Sequence, residues 1–209
     1  MFALMESPMR VWLMGLMVAL CLAATGASAA TLLVLGDSIS AGFGIDTRLG
    51  WVNLLQQRLD SQGFDYQVVN ASISGDTSAG GLARLAPLLA ERQPALVVVE
   101  LGGNDGLRGQ PPAQLQQNLA AIIQQSQASG AKVLLLGMQL PPNYGARYNQ
   151  LFSQVYGQLA SSENVALVPF FLEGVGGVPM LMQGDGIHPN ASAQAHMLEN
   201  VWQQLQPLL

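Results

Sequence analysis

From Thr31 onward the chain alternates two hydrophobic rhythms. Short apolar runs occur at TLLVLG (31–36), YQVVNA (66–71), ALVVVEL (95–101), KVLLLGM (132–138) and VALVPF (165–170). Between them lie segments whose apolar residues recur at three- and four-residue spacing, the period of an amphipathic helix. These are 51–62, 80–93, 112–130 and 146–162, and a last one, 191–209, closes the chain. Strand–helix alternation repeated in this way predicts an α/β fold, a parallel sheet with helices on both faces. The runs are apolar throughout, which predicts strands covered on both sides. No internal repeat or linker interrupts the pattern, so one domain is expected over 30–209.

Sites in such sheets lie beyond the carboxyl ends of the strands, and each run here is followed by polar or glycine-rich sequence. Gly36-Asp37-Ser38 follows the first, NASISGDTSAGG (70–81) the second, GGNDG (102–106) the third and QLPPNYG (139–145) the fourth. Past a glycine-rich loop, the fifth leads to GDGIHPN (184–190). Turns favour such residues for conformational reasons alone, so each segment by itself says little. Together they supply the parts of a serine nucleophile site. Ser38 needs a base to take its proton, and an imidazole, here His188, is the side chain suited to that at neutral pH. Asp185, three residues earlier, is placed to accept the other ring N–H and fix the tautomer. The backbone N–H groups of Ser38 and Gly75 and the side-chain amide of Asn104 are candidate oxyanion donors. Asp37 and Asp105 read as loop-fixing acceptors, Asp76 as a turn residue, and His196 as a partly exposed helix residue.

Those segments carry a resemblance. Gly36-Asp37-Ser38, Gly75, Gly102-Gly103-Asn104-Asp105 and Asp185-Gly186-Ile187-His188 resemble, in order, the four blocks of the SGNH, or GDSL, hydrolases. The wider phrases NASISGDTS, VELGGNDGLRG, LPPNYG and DGIHPN are similar to the exported bacterial thioesterase I/lysophospholipase/arylesterase branch. The resemblance implies a three-layer α/β/α, flavodoxin-like sandwich on a five-stranded parallel sheet. It also implies a Ser–His–Asp triad that uses no metal or other cofactor, and broad ester and thioester substrates.

Other chemistries fit less well. The glycine-rich GDSISAGFG lacks the lysine of a phosphate loop, and GFGIDT has Thr47 where a dinucleotide motif needs its third glycine. The nucleophile elbow G-x-S-x-G is absent, since the serine context reads G-D-S-I-S. Two histidines in all are few for a two-metal phosphoesterase. A carbohydrate O-deacetylase of the same fold, or an exported protein that only binds a ligand in the same cleft, remain as alternatives. Leu107, Pro111 and Tyr144 follow strand ends and are candidates to line the substrate cleft.

The amino-terminal residues predict export. Arg10, the apolar stretch VWLMGLMVALCLAA (11–24) and Ala27-Ser28-Ala29 form the three regions of a cleaved signal peptide, residues 1–29. The stretch is short of the roughly 20 apolar residues that a spanning helix needs, so no stable membrane anchor is expected, and the destination is periplasmic or secreted. The single cysteine, Cys21, falls inside that peptide, so the mature chain has neither disulfides nor thiol chemistry. A net charge of −5 without a basic run argues against nucleic acid. The expected partner is a small acyl ester or thioester, with lysophospholipid suited to the compartment.

Overall fold

A computed structural model describes residues 29–209; the signal-peptide reading of the amino end falls outside the described residues. Five strands form one parallel sheet: β1 (Ala30–Gly36), β2 (Tyr66–Asn70), β3 (Leu96–Glu100), β4 (Lys132–Leu136) and β5 (Ala166–Val168), in the order β2-β1-β3-β4-β5. β1, β3 and β4 form its centre, and Leu32 to Leu35, Leu96 to Val99 and Leu134 to Leu136 are inaccessible to solvent. Their uninterrupted apolar sequence follows from helices on both faces.

The two edge strands depart from the expected full coverage. β2 is half-buried, with Gln67 and Asn70 exposed, and only Val168 of β5 is buried. Each has one neighbour, so its outer side lacks the packing that the centre receives. Solvated edges also keep polar residues that blunt further strand pairing.

Five long helices flank the sheet: α2 (Trp51–Ser61), α3 (Ser78–Arg92), α5 (Pro112–Ala128), α6 (Ala146–Ser162) and α7 (Gln194–Leu205). α3, α5 and α6 pack side by side in one layer, while α2 and α7 pair in the other. The spacing that predicts α2 is the spacing that buries it, through Trp51, Val52, Leu55 and Leu59. Two short helices were not expected: α1 (Ser38–Ala41) directly follows β1, and α4 (Gly103–Leu107) follows β3. At four and five residues they are too short to show a hydrophobic period. They lie where the strand order reverses, because β1 connects outward to β2 on one side while β3 begins the march in the other direction. That reversal opens a crevice above the carboxyl ends of β1 and β3.

Candidate active site

Ser38 is the first residue of α1, immediately beyond the buried end of β1. Asp37 caps that helix, its Oδ1 accepting from the Ile39 N–H at 3.0 Å. This uses the side chain before the serine to hold the turn and leaves the Ser38 hydroxyl facing the cleft. Its Oγ lies 2.9 Å from His188 Nε2, and His188 Nδ1 lies 2.6 Å from Asp185 Oδ2. The other Asp185 oxygen, Oδ1, accepts from the backbone N–H groups of Ile187 at 2.9 Å and His188 at 3.0 Å. The tight turn thus fixes both ends of the His–Asp pair. These bonds to the His188 backbone and ring and to the Ile187 N–H pull the Asp185 carboxyl down to about 2. An anion at Asp185 demands a proton on Nδ1, so Nε2 is left as the acceptor for the Ser38 hydroxyl.

The histidine loop gets no help from a strand. Residues 169–190 cross from the edge strand β5 back over the crevice, tied by a bridge between Met182 and Pro189. Gln183 donates to the carbonyls of Phe43, at 2.7 Å, and Pro189, at 3.0 Å, joining the loop to the segment after α1. The half-exposed Phe43 ring packs on the His188 ring with centroids 4.6 Å apart.

Asn104 stands in α4 beyond β3, and its amide donates to Asp37 Oδ2 at 3.0 Å. One amide hydrogen is committed to Asp37, which orients the other. Gly75 adopts a left-handed conformation, φ 80°, open to a residue without Cβ, and its carbonyl accepts from Arg108 Nη2 at 2.8 Å. That carbonyl belongs to the Gly75–Asp76 peptide, whose N–H donates to the Ile73 carbonyl at 3.1 Å, so the turn following Gly75 is pinned through both of its groups. Among the described residues, no protein group accepts from the Gly75 N–H. Asp105 takes the Ser78 N–H at 2.8 Å and the Ser78 hydroxyl at 2.5 Å, fastening α4 to the start of α3 below the Gly75 loop. Asp76 accepts from Arg84 Nε at 2.8 Å. Asp105 thus serves as the loop-fixing acceptor that the sequence suggests, and Asp76, read there only as a turn residue, takes the same role through Arg84.

Beside Ser38 lies a cleft of about 520 Å³. Asn104 and His188 share its polar mouth, and Leu107, Met138, Leu140, Phe170, Leu172 and Met182 supply apolar wall. Of the three wall residues suggested by sequence, Leu107 lines the cleft. Tyr144 stands behind it, its hydroxyl donating to the Leu107 carbonyl at 3.2 Å. Pro111 is an exposed cap at the start of α5, outside the lining. The remaining wall residues are apolar, and an apolar residue after a strand has no sequence mark that sets it apart from the core. Met138 and Leu140 after β4, and Phe170 and Leu172 after β5, occupy the same strand-end positions.

Fold and site together define a three-layer α/β/α protein with a hydrogen-bonded Ser–His–Asp relay at the sheet's reversal point. The comparisons make that specific. The model of the GDSL-like lipase/acylhydrolase family matches residues 34–196, and the chain belongs to that family of hydrolases. It is 67% identical over 201 residues to esterase TesA of Pseudomonas aeruginosa, covering 96% of this chain and 100% of that one. Thioesterase 1/protease 1/lysophospholipase L1 of Escherichia coli is 51% identical over 183 residues, 88% of this chain and 86% of its own. Among solved structures, the psychrotrophic esterase EstA of Pseudoalteromonas sp., inhibited by monoethylphosphonate, superposes with a TM-score of 0.81 at 42% identity. That match covers 85% of this chain and 97% of the esterase.

Proposed function

We propose that the protein hydrolyses carboxylic esters and thioesters through an acyl-enzyme on Ser38, with His188 as proton shuttle and Asp185 as its orienter. The observation that carries this reading is the unbroken relay from Ser38 Oγ to His188 Nε2 and from His188 Nδ1 to Asp185. The relatives' names, esterase and thioesterase/lysophospholipase, support the substrate class.

His188 Nε2 accepts the Ser38 proton as Oγ bonds to the acyl carbon. Charge then develops on the former carbonyl oxygen, toward which the Ser38 and Gly75 N–H groups and the free Asn104 amide hydrogen are directed. The imidazolium, stabilised by Asp185, gives its proton to the departing alcohol or thiol oxygen or sulfur. A water, deprotonated in turn by His188, attacks the ester on Ser38 and releases the acid. The apolar cleft wall favours an acyl chain over a bare acetyl group, which sets this reading above sugar deacetylation. Export from the cell and a lysophospholipid substrate belong to the same proposal, on the strength of the amino-terminal pattern and the E. coli relative's name.

Labelling with a fluorophosphonate probe, read by intact mass and peptide mapping, tests it. One adduct on Ser38, absent from Ser38→Ala, is expected, and activity persists in EDTA because no step uses a metal. A folded wild-type protein that takes no label would return the cleft to a binding role.

A further inference from the structure

Beneath the nucleophile turn lies a second carboxyl that this mechanism does not use. Glu100, the last residue of β3, pairs in register with Gly36 and is completely inaccessible to solvent. Its Oε2 accepts from the Asp37 N–H at 3.2 Å and from the Ser40 hydroxyl at 2.7 Å. Ser40 in turn accepts from the Trp51 indole at 3.1 Å. Glu100 therefore grips α1 from both sides of Ser38, through residues 37 and 40. Gly36 leaves no room to spare: a Cβ there would come within 2.8 Å of Glu100 Oε2 and 2.8 Å of Ser72 Oγ. The close approach of strand to carboxyl thus requires glycine at this position.

Among the described residues, no cation pairs with this carboxyl. Its described partners are one amide and one hydroxyl, and Oε1 has no hydrogen-bond partner. A buried carboxylate with an orphan oxygen is far costlier than a buried acid. Of the charged and titratable groups nearby, Asp37 from the β1 end and Tyr156 from α6 interact with it directly, while Arg84 from α3 reaches the carbonyl of its strand partner Gly36 and Asp105 from α4 acts on Tyr156. Arg84 is spent on the Gly36 and Ala71 carbonyls and on Asp76. Tyr156 donates to the Leu101 carbonyl, and Asp105 binds Ser78. Only Asp37 acts strongly on Glu100, and its charge opposes a second one.

We propose that Glu100 is a positioning residue for acyl transfer: held as the neutral acid, it clamps the Ser38 turn from below and leaves the pair's single negative charge on Asp37, where it orients Asn104. Burial first, and the Asp37 charge second, push the Glu100 carboxyl well above the usual carboxylate range. The proposal rests on the Ser38 mechanism above.

The experiment compares wild type, E100Q, E100M and S40A by thermal melt, by rate of fluorophosphonate labelling, and by kcat and KM on p-nitrophenyl butyrate. Glutamine reproduces the neutral acid's shape and acceptor, so E100Q is expected to keep kcat within about threefold. Methionine fills similar space but accepts nothing. Folded E100M is expected to lose about 10- to 100-fold in kcat and labelling rate, with KM little changed, as misplacement of a reacting group does. Infrared spectra of wild type at neutral pH should show a protonated-carboxyl stretch that E100Q lacks. A collapse of kcat in E100Q overturns the neutral acid, and full kcat in folded E100M overturns positioning. Should E100M fail to fold, S40A decides: it removes one grip on α1, and an unchanged kcat there overturns the proposal. Wild type that takes no label removes the mechanism on which the proposal rests, a result distinct from all of these.

Discussion

Asp37 sits between the two groups that must act together on a substrate, capping α1 through the Ile39 N–H and holding the Asn104 amide. Replacing it with asparagine keeps one acceptor but sets an NH₂ group against either Ile39 or Asn104. D37N is therefore expected to lower kcat by about 10- to 100-fold with little change in KM, since the fault lies in orienting a transition-state donor. Steady-state kinetics check this; an equal rise in KM would place Asp37 in ground-state binding instead. Asn104→Ala removes the donor itself, and a loss of about 100- to 1,000-fold in kcat is expected. The Ser38 labelling rate should fall in parallel, because phosphonylation develops charge on the same side of the turn. These roles divide by chemistry. Sequence shows Ser38, His188 and Asn104 as parts of a mechanism, because hydroxyl, imidazole and amide at strand ends have recognisable uses. It shows Asp37 only as a turn residue, which it also is, and says nothing of Glu100, whose carboxyl looks like a polar break in VVVEL.

Elements explain where the sequence was legible and where it was not. β1, β3 and β4 could be read because burial on both faces forces continuous apolar runs, and α2 because its core stripe recurs with the helical period. α1 and α4 could not, since helices of four and five residues carry no period, yet they hold Ser38 and Asn104. The loop 169–190 was legible only at its DGIH turn. What positions that turn is long-range: Gln183 reaches the Phe43 carbonyl 140 positions away in the chain. Asn190 holds the Met180 carbonyl at 2.9 Å and its Oδ1 accepts from the Ser192 N–H at 2.9 Å. Gln183→Ala frees the loop from the α1 side while leaving the Asp185–His188 turn intact. A several-fold loss of kcat is expected, with a stability cost of about 0.5–1.5 kcal/mol, since water can reach the carbonyls that lose their donor. Denaturant melts and kinetics on the same preparation check it; a stability loss with unchanged kcat would make Gln183 purely structural.

At the scale of the whole molecule, the cleft and the core set opposite demands on pH. Burial raises the Asp37 carboxyl from an ordinary 3.8 to about 6, outweighing the Ile39 and Asn104 hydrogen bonds that lower it. Between those values the folded chain keeps a proton that the unfolded chain releases, so the Asp37 contribution is full below 3.8 and is lost as pH rises through 6. Glu100, also raised, slopes in the same direction. Asp185 slopes the other way, but its window runs from 3.8 down to about 2, below the range where Asp37 titrates. The difference in melting temperature between D37N and wild type reports on the Asp37–Glu100 pair, because the groups outside it are common to both and the loss of the Asp37 charge acts on Glu100 in the same direction. It is expected to shift in favour of D37N as pH rises from about 4 to 7 and to level off above that. Catalysis runs against this slope: the Asp37 anion that destabilises the fold is the acceptor that aims Asn104 at the substrate oxygen. Wild type should therefore be most stable on the acid side of its activity range, and D37N should gain stability where it loses turnover. A pH-independent difference between the two melts would mean that Asp37 is ionised throughout, and the opposition between stability and turnover would have to originate elsewhere than in this buried pair.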